Sequence, residues 1–156
     1  KKLRIIILSR ISVPPNIALG KVVTSSSIDH NTSSDNAVDG YWNGGAFHQN
    51  VCVHTKGGSS FISVDLGEEY SISSINLVGR GDKCPECEAQ TQNWTIRIGN
   101  TGQDTDSICS ENVDAYGGKL VPIRCNGTKI SGRHVKLESE TSMVMCEIQI
   151  FGTITG

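Results

Sequence analysis

Hydrophobic and polar residues alternate along several short segments of this chain. Ile62, Val64 and Leu66 occupy every second position of one segment, a period of two that is typical of a strand with one face on a core. The same alternation, or a short apolar run, marks the other segments that we interpret as strands: 17–23, 72–78, 94–98, 120–123, 133–137 and 145–151. No segment has sustained helical periodicity, so the pattern predicts an all-β, antiparallel sandwich.

Residues that favour turns separate these strands. Pro14 and Pro15 end a first segment, which divides the chain into an N-terminal extension or linker, residues 1–15, and one domain, residues 16–156. The Ser/Thr/Asn-rich residues 24–34 and the Gly-rich residues 41–50 are predicted loops, and residues 67–70 are a predicted turn.

Composition excludes several classes of function. The net charge is −2, with no cluster of Lys or Arg, so a nucleic-acid partner is not expected. No apolar run reaches the length of a membrane span, so we expect no transmembrane segment. The apolar run Ile5–Leu8 is too short for the core of a secretion signal. The sequence contains no nucleophile elbow, phosphate loop or HExxH motif, so we predict that the protein is not an enzyme.

Cysteine content indicates an oxidising compartment. The chain has an even number of cysteines, 6, which is typical of secreted proteins with disulfides. Three Asn-x-Ser/Thr sequons, at Asn31, Asn93 and Asn126, agree with secretion and glycosylation. Six cysteines allow about fifteen pairings, and the sequence by itself does not choose among them.

One polar segment, Arg80–Cys87, combines a cation, a carboxylate and two cysteines between two predicted strands. Arg80 and the upstream His54 offer N–H donors that suit the hydroxyls and ring oxygen of a neutral sugar. The alternative for Arg80 and Asp82 is a local surface ion pair, and a solitary histidine is more often structural.

A redox or zinc role for Cys-x-x-Cys is disfavoured because no strand-to-helix junction and no second close pair of ligands is present. The Arg-Gly-Asp tripeptide alone is a weak indication of integrin binding.

Seven pieces of the sequence, in order, resemble the F-type (fucose-binding) lectin family, within the discoidin-like, coagulation-factor C-domain sandwiches. They are Asn16–Lys21, Asn36–Gly40, Cys52–Thr55, Val64–Gly67, Arg80–Asp82, Ile96–Gly99 and Cys146–Gly152. The resemblance implies an eight-stranded jelly-roll β-sandwich with a calcium-stabilised lectin site.

The family motif is a His, then Arg-x-Asp, four residues, and a final Arg or Lys. His54, Arg80 and Asp82 match it, whereas the final position falls on Cys87. The family has two adjacent cysteines, whereas in this chain Pro85 and Glu86 separate Cys84 from Cys87, and Lys83 precedes them. The sugar-binding residues that follow from the resemblance are His54, Arg80, Asp82, Lys83, Phe47, Cys84 and Cys87, with His30 and Trp42 as neighbours of an apolar pocket. Lys83 is the candidate substitute for the missing cation.

The resemblance also implies a Ca²⁺ site and a disulfide pattern. The calcium ligands would be Asn36, Asp39, Tyr41, Val51, Cys146 and Glu147, mostly through carbonyl oxygens. Asp39 and Glu147 would supply charge. The implied disulfides are Cys52–Cys146, Cys109–Cys125 and Cys84–Cys87.

We therefore expect a secreted, calcium-binding lectin whose partners are glycans with fucose-like terminal sugars; the resemblance leaves a homo-oligomer open. The alternative is a discoidin-like adhesion or assembly module that has lost or altered fucose binding, because the last basic position of the motif is Cys87. A glycan-active enzyme is a third hypothesis that no motif supports.

Overall fold

The computed structural model describes residues 13–46, 50–126 and 129–156. The described residues form eight strands: β1 Val22–Ser25, β2 Val53–His54, β3 Ser60–Gly79, β4 Trp94–Gly99, β5 Ser107–Val113, β6 Val121–Ile123, β7 Ile130–Ser139 and β8 Val144–Ile154. The same described ranges contain three 3-10 helices, at Ser34–Ala37, Asn43–Gly45 and Pro85–Thr91. None of the helices in these described ranges is long and apolar enough to cross a membrane.

Strand β3 joins the two layers of the fold. Its first half pairs with β1 and β7, and its second half pairs mainly with β8 and β6, all antiparallel. Strands β4 and β5 extend the β7 side, and β2 extends the β8 side. The prediction of an all-β, eight-stranded antiparallel fold is confirmed.

The predicted turn at residues 67–70 is wrong, because β3 runs through it. The pairing register with β7 shifts between Asp65 and Tyr70, and Gly67 has a φ of +85°. Glycine adopts this angle without the steric cost that a side chain would carry. The irregularity therefore bends one continuous strand from the first layer into the second.

The core is aliphatic and lies between the layers. Ile62, Val64 and Leu66 are fully buried, as their alternation predicts. They join one apolar cluster with buried residues of the other layer, among them Ile75, Leu77, Ile148 and Ile150. The predicted strand at 17–23 is wrong in its first part: residues 17–20 form a turn, β1 begins at Val22, and the side chain of Val22 is 66% exposed.

A register shift in β8 changes which side chains face the core. Val78 pairs with Glu147 and Gly79 pairs with Met145, so Cys146 is an extra residue on β8. Met145 and Ile148 consequently both belong to the main cluster, although simple alternation would place them on opposite faces. The shift directs Cys146 into a second small cluster with Val51, Cys52, Val78 and Val144, against which Trp42 packs.

The three disulfides are those implied by the resemblance: Cys52–Cys146, Cys84–Cys87 and Cys109–Cys125. The first joins residues 94 positions apart and ties β8 to the segment that precedes β2. By the chain-entropy model a cross-link of this length stabilises the fold by about 4–5 kcal/mol.

We expect Leu77→Ala to lower the free energy of unfolding by about 2–5 kcal/mol, because it removes fully buried methyl groups and leaves a cavity in the core. Urea denaturation with the disulfides intact measures this loss. Val22→Ala, at an exposed position of β1, is the control and should change stability by no more than about 0.5 kcal/mol. Equal losses in the two variants would contradict the position of the core.

Candidate functional site

His54 is held rigidly on β2. Its strand pairs with β8 through His54 and Val144. Its N–H donates to Thr32 Oγ1 (3.0 Å), and its carbonyl accepts from the N–H of Asp29 (2.8 Å). His54 is only 5% exposed. These bonds fix the imidazole with respect to both β8 and the loop at residues 29–32.

A second imidazole, that of His30, lies over His54. The two rings are stacked, with centroids 4.8 Å apart and planes 13° from parallel. His30 and Asn31 have φ angles of 50° and 53°, a left-handed conformation that is uncommon for residues other than glycine. The His30 N–H donates to Asp29 Oδ1 (2.9 Å). A locally constrained turn therefore covers one face of the His54 ring.

Asp82 orients the guanidinium of Arg80. Nε and Nη2 of Arg80 donate to the two carboxylate oxygens of Asp82, at 2.5 and 2.8 Å. The Arg80 side chain is 13% exposed, so the pair lies at the edge of the surface. A two-pronged pair holds the plane of the guanidinium, which a single contact would not do.

The turn between Arg80 and Asp82 fits closely between two other loops. A Cβ atom on Gly81 would lie 2.4 Å from the carbonyl oxygen of Gly44 and 2.5 Å from Cα of Gly118. The carbonyl of Arg80 accepts from the N–H of Gly117 (3.0 Å), and the Tyr116 hydroxyl donates to the carbonyl of Asp82 (3.3 Å). The Arg-Gly-Asp tripeptide is thus packed into the fold, with its arginine and aspartate paired to each other.

The side chain that reaches His54 from the cysteine segment is Gln90, which sequence reasoning missed. Gln90 Nε2 lies 3.4 Å from His54 Nε2 and 3.4 Å from Ser142 Oγ. Counting from the second cysteine would have found it. In the family the two adjacent cysteines directly follow the Asp, which puts the final cation three residues after the second cysteine, and Gln90 is three residues after Cys87. The position that resemblance assigned to Cys87 by counting from Asp82 is therefore better matched by Gln90.

Burial and neighbouring charge disfavour protonation of His54. Its pKa is lowered from the ordinary value of 6.5, first by burial and then by His30. Asp29 opposes this effect, and the cation of Arg80 adds to it. His54 is accordingly a neutral imidazole at pH 7, so one ring nitrogen donates a hydrogen bond and the other accepts one.

The other predicted sugar-binding residues have different surroundings. Lys83 is exposed. Cys84 and Cys87 form a disulfide at the start of the 3-10 helix that carries Gln90. Phe47 lies outside the described residues. Trp42 packs against the cluster around the Cys52–Cys146 disulfide.

The predicted calcium ligands gather around that same disulfide. Glu147 is fully buried; its Oε2 accepts from the N–H of Gly40 (3.1 Å), and its Oε1 has no hydrogen-bond partner within the described parts of the chain. Burial, and secondarily Asp39, raise the pKa of Glu147 to about 8, although the Gly40 N–H acts in the opposite sense. A bound cation would compensate both the buried charge and the orphaned oxygen, so these residues fit a calcium ion.

The remaining predicted calcium ligands differ in their burial and in the oxygen atoms that they could offer. Asn36 is buried and donates through Nδ2 to the carbonyl of Cys52 (3.0 Å). Val51 is 4% exposed and could contribute only its carbonyl, whereas Tyr41 is 55% exposed. The Asp39 carboxylate accepts from the N–H of Tyr41 (2.8 Å). The set therefore depends on Glu147 and on backbone carbonyls, as calcium sites commonly do.

The described residues contain two other groups of potential metal ligands. Ligand atoms of Asp29, His30 and His54 lie within 4.8 Å of one another. The two imidazoles are nearly parallel, so their in-plane lone pairs do not converge on one ion. Cys84, Glu86 and Cys87 also cluster, but both sulfurs are in a disulfide and offer no thiolate.

The chain is similar to a family of galactose-binding domains and to known lectins. The family model for the NedA-like, galactose-binding domain of the F5/F8 type C group matches residues 36–137. Fucolectin-6 of Anguilla japonica is 30% identical over 146 residues, which cover 88% of this chain and 76% of that protein. Fucolectin-3 of the same species is 31% identical over 123 residues, which cover 75% and 65%.

Solved structures agree with this result. An f-lectin (fucolectin) from striped bass (Morone saxatilis) serum has 27% identity and a TM-score of 0.79, and the match covers 90% of this chain and 50% of that chain. The present chain thus spans half the length of the bass protein. The lectin domain of lectinolysin, complexed with Lewis B antigen, has 23% identity and a TM-score of 0.72 over 89% of this chain, and it supports the fold alone.

We expect His54 to titrate below pH 6.5, which NMR of the imidazole protons would measure, with His54→Gln to assign the signal. Because the unfolded chain binds this proton more tightly than the folded chain, stability should fall as the pH drops below 6.5 and level off below the folded pKa. His30→Ala should raise the pKa of His54, and Asp29→Asn should lower it further. A pKa at or above 6.5 in the wild type would contradict this description of the site.

Proposed function

Because this chain belongs to the F-type lectin family of discoidin-like domains, we propose that it is a lectin that binds fucose-like terminal sugars of glycans. The observation that carries the proposal is that the Gln90 amide lies 3.4 Å from the His54 imidazole, on which the cation of Arg80 also acts electrostatically. The relatives that it matches are lectins and not enzymes, which agrees with the lack of catalytic motifs in the sequence.

The proposed mechanism is recognition by hydrogen bonds from groups that are ordered before the ligand arrives. Asp82 holds the guanidinium of Arg80, and β2 holds the imidazole of His54. Both groups would donate to a sugar hydroxyl and ring oxygen. Because the donors are already oriented, little side-chain entropy is lost when a sugar binds.

Gln90 gives this site a neutral third group in place of the family's cation. An amide both donates and accepts hydrogen bonds, whereas Arg and Lys only donate. Oε1 of Gln90 is buried without a partner among the described residues, and a rotation of the Gln90 side chain that exposes it would let a ligand hydroxyl donate to it. The site therefore favours a hydroxyl that donates to Gln90 while it accepts from His54 or Arg80.

We further propose that the protein is secreted and binds calcium. Three disulfides and the sequons support passage through an oxidising compartment. Calcium would be held by Glu147, Asp39 and nearby carbonyls. The ion would compensate buried charge beside the Cys52–Cys146 disulfide and so stabilise the loops around the lectin site, without contacting the sugar.

We expect Arg80→Ala to weaken binding to fucosylated glycans by at least about tenfold, since a hydrogen bond from a charged group contributes about 1.5–3 kcal/mol. A glycan array, followed by calorimetry on the best ligand, measures this. Arg133→Ala is a matched control, because Arg133 makes the same two-pronged pair with Asp65 (2.6 and 2.8 Å) and should leave binding unchanged.

Two outcomes of this comparison would overturn the assignment. Equal binding by wild type and Arg80→Ala would remove Arg80 from the site. No glycan bound by the wild type, together with binding to a protein partner that is insensitive to free fucose, would favour the adhesion or assembly module, for which the neutral Gln90 is the relevant change.

Calcium should raise the melting temperature of the wild-type protein relative to the protein in EDTA, because a ligand that binds only the folded state at about 100 times its Kd stabilises it by about 2.7 kcal/mol. Glu147→Gln should abolish the response. Glu111→Gln, at an exposed position of β5, should retain it. Identical melting temperatures of the wild type in calcium and in EDTA would argue against the site.

A further inference from the structure

A second polar groove, of about 440 Å³, lies on the outer face of strands β3, β7 and β4. Its lining includes neither His54 nor Arg80. Across the sheet, Phe61 of β3 pairs with Glu138 of β7, which pairs with Thr95 of β4. With neighbouring strands about 4.8 Å apart, Phe61 lies about 10 Å from Thr95 across this face.

The floor of the groove is a set of ion pairs. Lys136 Nζ lies 2.5 Å from Asp104 Oδ1 and 2.8 Å from Glu138 Oε1, and Arg97 Nε lies 2.9 Å from Glu138 Oε2. The Lys136 side chain is 11% exposed and that of Glu138 is 22% exposed. The two cations and two carboxylates of these pairs neutralise each other, and Glu140 adds one further negative charge to the lining, so the groove suits a hydroxyl-rich ligand better than an anion.

The groove also carries an aromatic surface. Phe61 alternates with the buried Ile62 and so lies on the outer face, half-buried. The Lys136 ammonium lies 5.0 Å from the centre of its ring. An aromatic ring beside fixed hydrogen-bonding groups offers both the apolar and the polar contacts that a sugar ring requires.

The sequon Asn93-Trp94-Thr95 lies at the margin of this groove. Trp94 is fully buried, whereas Asn93 and Thr95 both line the groove. The backbone of Asn93 has a φ of 56° and is anchored by a hydrogen bond from its N–H to Asp114 Oδ1 (3.0 Å). The attachment point of a glycan is therefore fixed at the edge of a surface that suits a sugar.

We propose that this groove binds the innermost N-acetylglucosamine residues of a glycan attached to Asn93 of the same chain. Attachment forms a bond between the Asn93 amide nitrogen and the anomeric carbon of the sugar. The nitrogen loses a proton, and the pyrophosphate of a lipid-linked oligosaccharide donor leaves. The inference rests on the secretion in the proposed function and is independent of fucose binding.

The covalent link explains why a shallow groove is sufficient. A short tether holds the first sugars at an effective concentration in the millimolar range or above. Contacts too weak to capture a free oligosaccharide therefore suffice for one that is already attached. The bound sugars would cover Phe61 and the ion pairs of the β3–β7–β4 face.

The test uses the full chain secreted from a eukaryotic host that makes high-mannose glycans. Glycopeptide mass spectrometry should find Asn93 occupied. An endoglycosidase acting on the native protein should release the Asn93 glycan about tenfold faster from Phe61→Ala than from wild type, if packing contributes about 1.4 kcal/mol. Ile154→Ala, which changes an exposed residue outside the groove, should release it at the wild-type rate.

A second measurement on the wild type does not depend on the folding of the Phe61 variant. NMR should show a nuclear Overhauser effect between the N-acetyl methyl protons of the Asn93-linked sugar and the Phe61 ring. An unoccupied Asn93, equal release rates in wild type and a folded Phe61→Ala, or no such effect would each overturn the proposal. Glycan-array binding by the same preparation tests the lectin function separately, so failure of one proposal is distinguishable from failure of the other.

Discussion

The Cys52–Cys146 disulfide is the constraint on which the proposed lectin site depends. It joins the segment that leads into β2 to the extra residue of β8. His54 follows Cys52 by two residues, and Glu147 follows Cys146 directly. One covalent bond therefore fixes both the imidazole proposed to bind sugar and the buried carboxylate proposed to bind calcium. If the proposed site binds sugar, stability and recognition are coupled at this position, because the same backbone serves both.

The sequence predicted those parts of the fold in which side chains alternate strictly. Ile62, Val64 and Leu66 show a period of two and are buried as expected. Strand β5 was missed because only Cys109 and Val113 of its seven residues are buried, so no alternation is visible. The bend at Gly67 and the extra residue in β8 were missed because local pattern does not reveal a shift in pairing between distant strands.

The sequence predicted only those residues of the candidate site that belong to a short family motif. His54, Arg80 and Asp82 belong to the motif, and the structure brings them together. Gln90 was missed because the segment between Asp82 and Cys87 is longer than in the family, which changes the count from Asp82 but not the count from the cysteine. Asp29 was missed because it lies in a polar loop, where sequence alone does not show which side chains turn toward a neighbouring strand.

The replacement of a cation by Gln90 changes the electrostatics around His54. A lysine or arginine at 3.4 Å from the imidazole would add a charge to the one that Arg80 already contributes, and it would lower the pKa of His54 further. With an amide, burial and the stacked His30 are the main causes of the neutral state. In this chain the stacked His30 ring helps to keep His54 neutral, an effect to which a third cation would otherwise contribute. A neutral His54 has one ring nitrogen that donates a hydrogen bond and one that accepts. In the proposed function, a ligand hydroxyl that bridges His54 and Gln90 would meet matched polar groups on both sides. The site would then lack the strength of a charged contact but select a hydroxyl that both donates and accepts a hydrogen bond.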